Sequence, residues 1–158
     1  MRIIIICLLV FSCNDVTKNK SKVDQERIPN SINSFFNEKP EIIELELYPS
    51  SNIETWTQII NFTEKFSDLF EKEINHKSKI KLLSTDLDKI KKETIPYKYK
   101  VSPIIGRIRV VNTYLQKIDS YLLNQENLKE YKMDLNNLLE SYNGLIFQIN
   151  LRSKELID

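Results

Sequence analysis

The chain predicts an all-α fold, an up-down bundle of four helices, or three if the first two run on without a break. Two observations carry that prediction. Apolar residues recur three and four apart from Trp56 to Ile149, the spacing that gathers side chains on one face of a helix. Stop and start signals then divide this stretch, with Ile95-Pro96, Ser102-Pro103 and Asn127 at its joints. Residues 51–158 are the expected bundle domain, and what precedes them is of another composition.

Residues 1–12 read as an export signal. Arg2 supplies a positive charge, residues 3–11 an unbroken apolar core, and Ser12 a small residue before the cut. That core is too short to span a bilayer, which takes roughly 20 apolar residues. Polarity jumps immediately after Cys13, at Asn14-Asp15. Here the chain resembles bacterial lipoproteins, with Val10, Ser12 and Cys13 in lipobox positions and Phe11 departing from the usual choice. The resemblance implies a diacylglycerol on the Cys13 thiol and a lipid anchor in a bacterial cell envelope. The short leader ending in Ser-Cys is similar to those of Bacteroidota. Asn14 after the cysteine favours the outer membrane by the proteobacterial sorting rule. Cys7 would leave with the signal, so the mature chain holds neither free thiol nor disulfide and must fold by packing alone.

Residues 13–50 are expected to be the lipidated cysteine followed by a tether and an irregular segment. Up to about residue 29 the composition is too polar to bury anything. Ile32, Phe35 and Phe36 are candidates to dock on the domain. Residues 43–48 alternate with the period of a half-buried strand, as do 97–101, and a two-stranded pairing of the two would be marginal in water. An extended or irregular course is favoured for both.

The first helix is expected from Ser51, which with Glu54 makes a capping box. Trp56, Ile59, Ile60, Phe66, Leu69, Phe70 and Ile74 form its apolar face. The second, about 79–94, carries Ile80, Leu83, Leu87 and Ile90. A single helix over 52–94 would be roughly 63 Å long, twice its neighbours, leaving its aromatic half uncovered. A break near 75–78 is therefore expected. Ser102 is read as the cap of the third helix, with Pro103 at its first position. Ile104, Ile105, Ile108, Val111, Leu115, Ile118 and Leu122 are its stripe, broadened by Val110, Tyr114 and Tyr121. Asn127 and Glu130 form a second capping box. The fourth helix shows the cleanest row: Leu128, Tyr131, Leu135, Leu138, Tyr142, Leu145 and Ile149, with Leu156 beyond. Gly106 and Gly144 lie inside the last two helices, where a close helix–helix contact would justify them. Ser102-Pro103-Ile104-Ile105, the stretch 107–113, Tyr142-Asn143 and Gln148-Ile149-Asn150 resemble small helical lipoproteins of flavobacteria. That family has no assigned activity, so no functional residue carries over.

Charge bounds the function. The chain carries 23 Lys and Arg against 22 Asp and Glu, which is not the basic balance of a general nucleic-acid binder. The distribution is uneven: net −5 over 14–76, +7 over 77–109 and −2 over 110–158. The first reading is solvated helix faces that neutralise one another in the fold. The alternative is a basic face for anionic lipid, polysaccharide or an acidic partner, and Arg107 and Arg109 are the candidate contacts for an anionic group.

No catalytic or cofactor site is legible. His76 is the only histidine. With Glu73 it offers half of a di-iron motif that must occur twice. Met133 and His76 make a nominal axial pair without the Cys-x-x-Cys-His of a c-type haem. Two glycines exclude a glycine-rich phosphate loop. Asn61-Phe62-Thr63 matches a glycan sequon by chance. The expected function is a lipid-anchored envelope protein that binds an envelope partner or acts structurally, without catalysis and without a cofactor. The alternative is a small-molecule or lipid carrier with an apolar cavity between the first and third helices.

Overall fold

The computed structural model describes residue 35 and residues 41–48, 53–71, 76–124 and 126–156. Residues 1–34, including the signal and Cys13, lie outside the described residues, as do Ser51 of the first capping box and Ile74. Four helices follow one another: α1 (Thr57–Glu71), α2 (His76–Asp88), α3 (Ser102–Ser120) and α4 (Leu128–Glu155). Each lies against the next, α1 on α2, α2 on α3 and α3 on α4. Lys65 pairs with Asp86 and Lys79 with Asp68 across α1 and α2, a crossed numbering that makes the two antiparallel. The bundle therefore has four helices; α1 ends at Glu71 and α2 already begins at His76, so residues 76–78, expected in the break, are helical.

The core is one continuous cluster. From α1 it takes Trp56 just before the helix, then Ile59, Phe62, Phe66, Leu69 and Phe70. To these are added Ile80, Leu83 and Leu87 of α2, then Ile104, Ile108, Val111, Leu115 and Ile118 of the predicted α3 stripe, and the entire row from Tyr131 to Ile149 on α4. Phe62, which the sequence reading left off the apolar face, is fully buried. The Phe66 and Tyr142 rings stack 3.7 Å apart and join α1 to α4. Burial raises the Tyr142 phenol well above its ordinary value, against a hydrogen bond with Ser67 that lowers it.

The helix ends differ from expectation, each for a packing or hydrogen-bonding reason. A 3-10 turn, Ile53–Thr55, precedes α1. The Trp56 amide closes it on the Ile53 carbonyl, and both side chains are buried. Inward packing at three-residue spacing thus delays the helix to Thr57. α2 stops at Asp88, six residues short of the predicted end, although Ile90 and Ile95 remain buried. The Thr94 hydroxyl holds the chain in a turn by donating to the carbonyls of Lys89 and Lys91. Val101, extended at φ −109°, is the cap of α3, so Ser102 is its first helical residue and caps nothing. Leu122 lies beyond α3 at 79% exposure and does not extend its stripe; Val110 is 45% exposed and does not broaden it. The Asn127 side chain makes no capping bond to α4, although its carbonyl accepts from the Tyr131 amide. Instead Asn124 and Asn127 take each other's backbone amides with their side-chain oxygens, at 3.0 and 2.9 Å.

Candidate functional site

The least expected feature is the course of residues 41–48. They form no strand; they lie extended along α4, beside the seam that α4 makes with α1. Two asparagines of α4 hold them by the backbone. Asn143 accepts from the Ile43 amide at 2.9 Å and donates to the Glu41 carbonyl at 2.8 Å. Asn150 accepts from the Glu46 amide at 2.9 Å and donates to the Glu44 carbonyl at 2.9 Å. Each side-chain amide thus brackets one residue, Ile42 and then Leu45.

The spacing follows from two repeats. Seven helical residues from Asn143 to Asn150 advance about 10.5 Å along α4. Three extended residues advance about 10 Å. A helix row at i and i+7 therefore meets an extended chain at j and j+3 when the two run in the same direction, as they do here. Ile42, Ile43 and Leu45 lean on the core, while Glu44, Glu46 and Leu47 face outward. The period of two read in the sequence is thus replaced by a period of three. Glu46 and Tyr48 close the segment on the end of α4, through Lys154 at 3.4 Å from the Glu46 carboxylate and 5.9 Å from the Tyr48 ring. A shallow groove of about 200 Å³, lined among others by Leu47, Ile60, Glu64 and Tyr142, remains beside this strap. Further back, Phe35 lies against Tyr131 at 5.4 Å, as expected of a docking aromatic.

Buried charge in the bundle is built into helix-to-helix links. Asp134 on α4 is 1% exposed and accepts from Lys117 at 2.9 Å and from the Tyr121 hydroxyl at 2.6 Å. Its hydrogen bond raises the Lys117 ammonium above the ordinary lysine value and pushes the Tyr121 phenol up to about 12. Asp86 on α2 accepts from Lys65 and Lys89 at 2.5 and 2.6 Å. Asn112 of α3 donates to Asp88 at 3.1 Å. Lys65, Lys117 and Asn112 tie these carboxylates to neighbouring helices, while Lys89 reaches Asp86 from three residues further on. Among the described residues no three His, Cys, Asp or Glu side chains converge as metal ligands. His76 begins α2, and Met133 is exposed on α4.

Arg107 and Arg109 are not brought together. Two residues apart on α3, they point to different sides of the helix. Arg107 lies across Gly144 of α4: a Cβ there would come 2.3 Å from its guanidinium nitrogen. Nothing lies within 4 Å of a Cβ placed on Gly106. Neither glycine therefore serves a backbone contact between helices. Arg109 is exposed on α3.

The sequence signal that would have found the strap seat is the row itself. Asn143 and Asn150 stand seven residues apart, in one row at the edge of the apolar face of α4. The structure thus defines a helical bundle strapped by an extended segment of its own chain. No protein-family model, curated protein or solved structure matches this chain. No helix among the described residues is long and apolar enough to cross a membrane.

Proposed function

We propose that this protein is a lipid-anchored, non-catalytic component of a bacterial cell envelope, acylated at Cys13, whose helical bundle binds an envelope partner or serves as a structural element. The strap supports this reading. The chain on the N-terminal side of the bundle is fastened along α4 by four hydrogen bonds to its backbone. A load arriving from an anchored Cys13 is thereby delivered to the longest helix and its core row, not to a frayed helix end. Two acyl chains on the cysteine would hold the protein at the bilayer, where one alone is marginal.

The carrier alternative needs free apolar space between α1 and α3. The α1 aromatics Phe62, Phe66 and Phe70 are instead packed on one another and on Tyr142, and Trp56 on Tyr99, which favours the partner reading. Growth of expressing cells with a clickable fatty acid tests the anchor. The wild-type chain is expected to take up label that resists delipidation by detergent and solvent, and Cys13→Ser to take up none. Equal label in both chains would remove the anchor from the account.

A further inference from the structure

Residues 77–109 carry ten Lys and Arg against three Asp and Glu. Within this stretch Lys79 pairs with Asp68 and Lys89 with Asp86, and Asp86 also takes Lys65 of α1. Lys91, Lys92 and Lys100 are exposed on the connection between α2 and α3, with Lys98 half-buried among them and Glu93 the one acidic side chain of residues 89–101. At the crest of this connection Tyr97 is 92% exposed. Its position is fixed rather than loose. The 3-10 turn Tyr97–Tyr99 is pinned from below by Tyr99, which is fully buried, tilted on Trp56 at 5.6 Å and hydrogen-bonded to Ser153 at 2.9 Å. Arg152 holds the same turn by donating to the Lys98 carbonyl at 3.0 Å. A groove of about 220 Å³ opens beside it, with Val101, Pro103, Ile104 and Leu151 as its apolar wall and Gln148 and the Arg152–Glu155 pair as its polar one.

We propose that the α2–α3 end of the bundle is a docking surface for a bilayer containing anionic phospholipid. The two halves of the feature call for different parts of such a surface. Lys98 and Lys100 on the fixed turn, with Lys91 and Lys92 earlier in the same connection, answer to phosphate headgroups, whose attraction falls off within a Debye length. A tyrosine held outward among them answers to the interfacial layer, which accepts a ring on one side and a hydroxyl on the other. A soluble polyanion would use the lysines and leave the ring in water, which is why the bilayer is the better fit. This surface lies on the bundle itself and needs no acylation of Cys13, so it stands or falls apart from the anchor.

The test uses the full chain carrying Cys13→Ser and Tyr97→Trp. Trp56 is fully buried and gives a constant background, so a change in emission reports the new indole. The apolar stretch 3–11 is common to every variant, so differences between variants do not arise from it. Vesicles with about 30 mol% phosphatidylglycerol are expected to shift the emission to the blue, while phosphatidylcholine alone leaves it unchanged. Salt at about 0.5 M should abolish the shift. Lys91→Gln, Lys92→Gln, Lys98→Gln and Lys100→Gln together should raise the lipid concentration for half-saturation at least about tenfold. In the Cys13→Ser chain with Tyr97 intact, Tyr97→Ser should weaken sedimentation with anionic vesicles. Equal emission on anionic and neutral vesicles, or equal binding after either set of substitutions, would overturn the proposal.

Discussion

Asp86 shows how one side chain carries a pH dependence. Burial raises its pKa, but hydrogen bonds and charge from Lys65 and Lys89 outweigh this and hold the carboxyl below its ordinary 3.8. A carboxylate with a depressed native pKa stabilises the fold above its unfolded value and loses that contribution as pH falls through the native one. Both lysines are about half exposed, so solvent screening reduces the contribution to about 1 kcal/mol. Asp86→Asn is therefore expected to lower stability to urea at pH 7, with the gap to wild type closing as pH drops below 3.8. The two glycines make a second residue-scale case. With open space at Gly106, Gly106→Ala should stabilise by about 0.5–1 kcal/mol. Gly144→Ala should gain less, because the Arg107 guanidinium must swing aside, a small cost for the far end of a flexible side chain. Thermal unfolding of the two variants checks both the sign and the order.

At the scale of elements, the strap and α4 act as one unit. Asn143→Ala or Asn150→Ala strips two hydrogen bonds from the strap backbone, at a cost of about 1–3 kcal/mol each. The two asparagines grip the same eight-residue segment, so releasing one end loosens the other. The double variant should cost less than the sum of the singles, a coupling that urea unfolding of the four chains measures directly. Much of the helical framework was legible because α4 and α3 are written in repeated three- and four-residue spacing over many turns, with one net register for the core. Their ends were not, because caps compete with packing over single residues. Ser51 and Ser102 advertise helix starts, yet Ile53, Trp56 and an extended Val101 decide where α1 and α3 begin. Asn127 looks like a cap and is spent on Asn124. The strap was harder still. Its contacts lie about a hundred residues apart in sequence, and those of Asn143 and Asn150 read backbone, so no side chain of residues 41–48 points back at the two asparagines.

On the scale of the molecule, the helices follow one another as neighbours, and the remaining seam between α1 and α4 is closed by Phe66 on Tyr142 and flanked by the strap. Lys91, Lys92 and Lys100 stand exposed on the connection between α2 and α3. Strap and basic end together give a bundle fastened along one helix and charged at one tip, the arrangement the envelope reading uses. That account rests first on the strap being seated in solution as described. Residue-resolved hydrogen exchange on the full chain decides it. The amides of Ile43 and Glu46 should exchange markedly more slowly than those of Glu44, Leu45 and Leu47, and the Asn143→Ala, Asn150→Ala chain should lose that protection with its helices intact. Uniformly fast exchange over residues 41–48 in the wild-type chain would show the seat empty and contradict the account.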